Sequence, residues 1–322
     1  MKLEAEIKKI ITGLGYELSS LERLSGGYSN DVFEANTHKC DYIIRVGKDP
    51  MIANYTLEKT LYFYNKLKKV GAMKAKIIDS GKLSSGNFYF IMEKVPGVVM
   101  SNLVEKHQLT KNEIYELFKD AIEAAKNVSK IKMKGFGTII KKGKNYIGMH
   151  ASEKDEAKIR LDDLDFLKDK KVIGQEFYDS ANKVIKKNMN LLELKFPSLV
   201  FPDLHFGNII VKNKKFSGLI DFDWLISGNP LRVYTSAFSF IYNPNEFDDI
   251  HTLNKDVILK AMNFKKDEFK RAMFYCFLGN IGDGLRYTYE KSKNLSDKDL
   301  KKELRFSLGA FKGTLKELES MN

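Results

Sequence analysis

Cysteine is scarce in this chain: there are two, Cys40 and Cys276, far apart and each in an apolar pattern. Such a pair makes no disulfide framework and reads as unpaired buried thiols of a reducing compartment. The five histidines, at positions 38, 107, 150, 205 and 251, show no metal-ligand spacing, which argues against a zinc-type site. No apolar run approaches the ~18 residues needed to cross a bilayer. The first residues, Met1-Lys-Leu-Glu-Ala-Glu, start an amphipathic helix with acids in it, unlike a signal peptide. A cytoplasmic protein without a membrane partner is therefore expected. Arginine is the other shortage. Net charge is +12, yet of 54 basic residues seven are arginine, the side chain that reads phosphate and guanine bidentately. The lysines lie on the polar faces of amphipathic helices. They predict a basic, solvated surface with weak, salt-sensitive attraction to polyanions and no specific nucleic-acid site. No internal repeat or low-complexity segment is evident.

What is present suits two domains with substantial cores: 322 residues, 43% hydrophobic and 30% charged. The stretch that organises them is Phe201-Pro-Asp203-Leu-His205-Phe-Gly-Asn208-Ile-Ile-Val, followed by Leu219-Ile-Asp221-Phe-Asp223-Trp224. It reads as strand, tight loop, short strand, a turn around Asn213-Lys214-Lys215, a second short strand and an acidic tip. Asp203, Asn208 and Asp221 stand at the spacing that phosphoryl transfer uses. A carboxylate must meet the attacking hydroxyl, and hard oxygen ligands must hold Mg²⁺ against the phosphates. The plainer alternative is a pair of polar β-turns that happen to hold acids.

Asp203-Leu-His-Phe-Gly-Asn-Ile-Ile-Val with Ile220-Asp-Phe-Asp-Trp resembles the aminoglycoside phosphotransferase and choline kinase family, small-molecule kinases with a protein-kinase-like fold. The resemblance implies an α+β, two-lobed fold. Residues 1–95 would form an N-lobe with an antiparallel sheet and one main helix. Residues 96–322 would form a mostly helical C-lobe with the catalytic loop and acceptor site. It implies ATP or GTP as donor and Mg²⁺ as cofactor, with Asp203 as catalytic base and Asn208, Asp221 and Asp223 at the metal. The turn Ser25-Gly26-Gly27-Tyr28-Ser29-Asn30 would cover the phosphates, with Gly26, Gly27, Ser29 and Asn30 as its binding residues. Its two glycines allow the backbone to approach a ligand and aim amide N–H groups at it. Arg45 stands where kinases place a lysine, with Lys48 as fallback, and Glu58 would pair with it. Met92, Glu93 and Val95 would meet the adenine at the hinge. His205 would brace the loop.

Periodicity supports this order along the chain. Helices are expected at residues 3–12 and 54–69, and five strands in the first hundred residues. Thr110-Lys-Asn-Glu113 is a capping box before a helix with a wide apolar stripe from Ile114 to Val128. Lys134-Gly-Phe136-Gly137 resembles the family's Gly-Phe-Gly turn. Residues 141–172, rich in Lys, Asp and Glu, read as a mobile insertion with one or two helices, and residues 174–194 as another helix. Amphipathic helices fill the C-terminal part.

Three departures from the family pattern stand out. Phe201-Pro202-Asp203 replaces His-Gly-Asp; Phe201 can fill the histidine's volume against the metal-Asp segment, and Pro202 favours an extended approach. Asn229 replaces the Asp of Gly-Asp-Pro. The second Asp, which braces the catalytic loop, is missing, with Thr235 or Tyr234 as substitutes. These departures keep open a second reading: a catalytically weak or inactive relative that binds nucleotide or serves as a structural protein. A protein kinase is disfavoured, since no activation loop ending in Ala-Pro-Glu follows Asp223. The expected partner is a small-molecule acceptor bound by a monomer or weak dimer. A cationic acceptor would draw on Asp248, Asp249, Asp283, Trp224, Tyr242 or Tyr287; a sugar or amino-alcohol fits equally.

Overall fold

The computed structural model describes residues 2–24, 30–48, 52–243, 249–291 and 297–321. The chain divides into two compact units, Met1–Gly97 and Val98–Asn322. In the first, α1 (Lys2–Gly13) precedes β1 (Leu18–Leu24), β2 (Asn30–Thr37) and β3 (Asp41–Gly47); α2 (Ile52–Lys69) precedes β4 (Ile77–Lys82) and β5 (Phe88–Glu93). The five strands form one antiparallel sheet in the order β1-β2-β3-β5-β4. Strand alternation decides what each face meets. Phe33, Ala35, Tyr42, Ile44 and Val46 form an apolar cluster with Ile7 and Ile11 of α1. Ile43 and Arg45 belong to the opposite face. The helix α2 packs on β3 and β5 and buries Leu57, Phe63 and Leu67. Cys40 is half-buried and Cys276 buried; both are free thiols, and burial pushes the Cys276 thiol up to about 12.

The second unit begins with β6 (Val98–Val99), α3 (Met100–Glu105) and α4 (Lys111–Val128). Thr110 and Glu113 cap α4 reciprocally, and its stripe from Ile114 to Val128 is buried. Next come β7 (Phe136–Lys142), β8 (Asn145–His150), α5 (Glu153–Asp169) and α6 (Gln175–Asn188). The expected charged insertion is thus a β-hairpin followed by one helix. Two glycines make the hairpin possible: Gly135 has φ +68°, and a Cβ there would lie 2.2 Å from the Gly148 carbonyl oxygen. The predicted 174–194 helix ends at Asn188 because the chain tightens into a 3₁₀ turn at Met189–Leu191.

Residues 198–228 supply β9 (Ser198–Val200), β10 (Ile209–Lys212), β11 (Lys215–Leu219) and β12 (Ile226–Gly228). They join two small sheets, ordered β11-β10-β6 and β8-β7-β12-β9. Helices complete the unit: α7 (Thr235–Ile241), α8 (Asp249–Leu253), α9 (Lys255–Met262), α10 (Lys266–Gly279), α11 (Tyr287–Lys291) and α12 (Asp297–Ser320). A π-helical turn, Asn280–Arg286, links α10 to α11. Arg160 of α5 lies across it: a Cβ on Gly282 would fall 1.4 Å from Arg160 Nη1, whose guanidinium donates to Asp163 at 2.7 Å. No helix among the described residues is long and apolar enough to cross a membrane.

A buried polar cluster fixes α5 to the segment that leads into β9. Glu153, 4% exposed, accepts from the Leu194 amide at 3.0 Å and from the Tyr275 hydroxyl at 2.8 Å. Beside it, Glu156 accepts two bonds from Arg232 Nη1, at 2.9 and 2.8 Å. Burial raises the Glu153 carboxyl above its ordinary range, against the opposing pull of its donors and of Arg232. A carboxyl raised in the fold contributes fully below its unfolded value and loses that contribution as pH rises through the folded one. Glutamine reproduces the protonated form: its oxygen accepts from Leu194 and its amide donates to the Tyr275 oxygen. The Tm of Glu153→Gln, relative to wild type, is therefore expected to climb as pH rises from the ordinary carboxylate range toward neutrality. Thermal melts across that window check this; a constant difference would refute the burial argument.

Candidate active site

Asp203 follows β9 on a short extended approach. The Phe201 ring packs 5.0 Å from the Phe222 ring, and both are buried, so the strand before the loop is pinned to the segment that carries Asp221. The Pro202 carbonyl accepts from the Ser236 amide at 3.1 Å. Asp203 Oδ1 accepts from Ser236 Oγ at 2.7 Å and Oδ2 from Asn208 Nδ2 at 2.9 Å. The same Asn208 nitrogen donates to the Asp203 carbonyl at 2.8 Å. His205 Nε2 stands 3.6 Å from Oδ1, and the aspartate side chain remains 25% exposed. It is both oriented and accessible.

The loop turns through Phe206–Asn208 as a single 3₁₀ turn, and each of its amides has an acceptor. Phe206 donates to His251 Nε2 at 3.0 Å, Gly207 to His205 Nδ1 at 3.1 Å, and Asn208 to the His205 carbonyl at 3.0 Å. Because His205 Nδ1 accepts, its proton belongs on Nε2, facing Asp203. The hairpin of β10 and β11 then brings the chain back. The Asn208 carbonyl accepts from the Ile220 amide at 3.0 Å, and the next residue, Asp221, has φ +62°. Left-handed backbone at a non-glycine residue costs on the order of 1–3 kcal/mol and persists only where surrounding contacts over-determine it. Here the Ile220 amide on one side and the buried Phe222 ring on the other do so. Asp223 is 2% exposed, deeper than the half-buried Asp221.

The remaining expected residues lie in the first unit. Gly26, Gly27 and Ser29 fall outside the described residues. Asn30 opens β2 opposite Gly47 and is buried. Arg45 is 9% exposed, with its guanidinium 5.9 Å from the centre of the Phe90 ring; it is no solvated strand-edge arginine. Lys48, the fallback, lies 3.8 Å from Asp31, which also pairs with Arg23. Glu58 is half-buried on α2. Met92 is buried on β5, opposite Ile43 and Ile77. The Glu93 amide donates to Lys76 O at 2.8 Å and the Lys94 amide to Asp41 O at 2.9 Å. Neither N–H is therefore open to a base; Val95 is buried just beyond them.

Two expectations need correction or narrowing. The side chain of this segment that braces the Asp203 loop is Ser236, not Thr235 or Tyr234. Tyr234 turns its ring toward Phe264, 4.5 Å away, and the Thr235 carbonyl is taken up by the Ser239 hydroxyl and the Cys276 thiol. Tyr234 precedes α7 and Thr235 and Ser236 open it, and the rotation of the chain there decides which of the three faces the loop. Asn229 does keep a local role, accepting from the Leu231 amide at 3.0 Å to cap the following turn. Among the acceptor candidates, Trp224 and Tyr287 meet edge to face at 5.9 Å, and Asp283 is 58% exposed, 3.9 Å from Arg160. Tyr242 already carries the Lys255 ammonium 3.9 Å from its ring centre. Asp248 falls outside the described residues, and Asp249 opens α8.

A five-stranded antiparallel unit followed by a helical unit, whose Asp-x-x-x-x-Asn loop is bonded to a second acidic segment, is the fold of the protein-kinase-like phosphotransferases. The sequence profile of the phosphotransferase enzyme family matches residues 20–238, and the chain belongs to that family. No curated protein matches it in sequence. Solved structures share the fold. A thermostable mutant of aminoglycoside phosphotransferase APH(4)-Ia, in ternary complex with ADP and hygromycin B, superposes with a TM-score of 0.69 at 17% identity, covering 96% of this chain and 97% of that one. The GDP complex of wild-type aminoglycoside 2'-phosphotransferase-IIIa gives 0.70 at 13% identity, with 97% of each chain covered. ADP-bound APH(2'')-Ib gives 0.63 at 18% identity, covering 97% and 98%.

The Phe201–Phe222 contact generates a stability prediction. Phe201→Ala is expected to cost ~3–5 kcal/mol, the range for removing a fully buried aromatic ring, read as a lower urea midpoint. Phe201→Leu should cost less, since it refills most of the cavity. Equal midpoints for wild type and Phe201→Ala would show that the ring does not pin the two segments.

Proposed function

We propose that this chain transfers the γ-phosphoryl group of ATP or GTP to a hydroxyl of a small molecule such as an aminoglycoside, an amino-alcohol or a sugar. The observation that carries the reading is how Asp203 is held. Ser236 fixes one carboxylate oxygen and Asn208 the other, in a side chain still open to solvent. In the transfer, Asp203 orients the acceptor hydroxyl and takes its proton as the new O–P bond forms and the bond to the β-phosphate oxygen breaks. Phosphoryl transfer relies on such positioning and on electrostatics, with little covalent work for the protein.

The donor set suits Mg²⁺. Asn208 commits its amide nitrogen to Asp203, which leaves its side-chain oxygen for a hard cation, and Asp221 adds a carboxylate. Asp223 supports from its buried position. The ion, when bound, neutralises phosphate charge. Arg45, with Glu58, and the turn at residues 26–30 would serve the phosphates; Met92, Glu93 and Val95 would serve the base, with Glu93 limited to its carbonyl. Relatives crystallised with ADP, AMP-PNP or GDP and with hygromycin B favour a nucleotide donor and an acceptor rich in hydroxyl and amino groups. The reading includes a cytoplasmic monomer or weak dimer that needs no nucleic acid or membrane.

The test is a transfer screen with Mg-ATP and Mg-GTP against pooled aminoglycosides, amino-alcohols, sugars and nucleosides, with mass spectrometry detecting phosphoryl gain. Wild type is expected to form a product and Asp203→Asn none. Ser236→Ala should lower kcat about tenfold or more with KM little changed, since it removes one hydrogen bond to a charged group, ~1.5–3 kcal/mol. Turnover retained by Asp203→Asn would end the mechanism.

A further inference from the structure

We infer that His251, 45 residues beyond the loop it touches, is a positioning residue for Asp203. It acts by holding the Phe206 amide at the start of the loop's 3₁₀ turn. This inference rests on Asp203 being the group that meets the acceptor. His251 lies on α8, outside every motif that points to phosphoryl transfer. It is 2% exposed, and its Nε2 accepts from the Phe206 amide at 3.0 Å. The ring proton therefore belongs on Nδ1.

The geometry is that of a clamp. The His251 ring lies between two phenylalanines, stacked on Phe206 at 4.2 Å and 19° and on Phe240 at 4.6 Å and 18°. Stacking fixes the ring plane, and the plane aims the Nε2 lone pair at the Phe206 N–H. A buried amide without an acceptor is costly, so the turn tolerates little displacement of this imidazole. The consequence reaches Asp203 in two steps. Phe206 sets the turn that ends in Asn208, and the Asn208 side chain holds both the carbonyl and the carboxylate of Asp203. Losing the acceptor at Phe206 loosens Asn208 and, through it, the angle at which Asp203 meets its substrate.

Two substitutions separate stacking from hydrogen bonding. His251→Phe keeps an aromatic ring in the sandwich but offers no acceptor; His251→Gln offers a side-chain oxygen but no ring. If the bond is what matters, His251→Phe lowers kcat about tenfold or more with the nucleotide KM changed little, and Phe206 amide hydrogen exchange accelerates by a similar factor. His251→Gln then recovers most of both. Wild-type kcat and Phe206 protection in His251→Phe would overturn the inference. So would a glutamine variant no better than phenylalanine. A measurement on the wild-type protein decides the matter if a variant fails to fold: a scalar coupling through the hydrogen bond between the Phe206 amide nitrogen and His251 Nε2. Its presence supports the clamp, and its absence overturns it. The coupling and the exchange rates need no acceptor, so a wild type that transfers no phosphoryl group counts against the proposed reaction alone.

Discussion

The side chain of Asn208 bonds backward to Asp203 twice, through the carbonyl and the carboxylate, while its backbone carbonyl bonds forward to the amide before Asp221. One residue thus couples the loop that carries Asp203 to the segment that carries Asp221. The five-residue separation from Asp203 is what permits this. A single 3₁₀ turn brings the chain round far enough for Asn208 to face back at Asp203, and then hands it to a strand. That strand pairs with β11, and β11 returns the chain so that the Ile220 amide, just before Asp221, meets the Asn208 carbonyl.

The loop is short and has no core of its own, so its precision is borrowed. Phe222 supports the strand before it, Ser236 the carboxylate itself, and His251 the turn. Behind them, Leu194 is tied to Glu153 and Arg232 to Glu156, which anchors the chain leading into β9 and the turn before α7. The supports come from different elements and different chemistries: aromatic packing, a hydroxyl, an imidazole and a buried ion pair. The left-handed Asp221 is held by its own pair of neighbours, the bonded Ile220 amide and the buried Phe222 ring. A strained backbone survives where several independent contacts agree on its position.

What was legible in the sequence was local. The Asp203, Asn208 and Asp221 spacing, the capping box at Thr110 and Glu113, the five strands of the first hundred residues and the stripe of α4 depend on neighbours a few residues apart. The structure departs from the sequence reading where distant residues decide. The β7–β8 hairpin was hidden because lysines crowd its turn, and what permits it is a glycine-to-glycine approach between positions 135 and 148. Ser236 sits beside the two residues that looked equally able to brace the loop. His251 showed no metal-ligand spacing, and spacing is blind to an imidazole used as a hydrogen-bond acceptor across 45 residues. The 3₁₀ turn at Met189–Leu191 ends α6 early, which periodicity does not register.

Gly282 and Arg160 form a single unit for variation. The guanidinium occupies the volume any side chain at position 282 would need, so a substitution there evicts Arg160 before it does anything else. Asp163, already pushed upward by burial, then keeps its cost of desolvation with its nearest cation displaced and Arg286 alone left to offset it. The two positions are therefore coupled: a side chain at 282 is accommodated only if the Arg160 guanidinium swings aside, and its hydrogen bond to Asp163 is what that movement puts at stake.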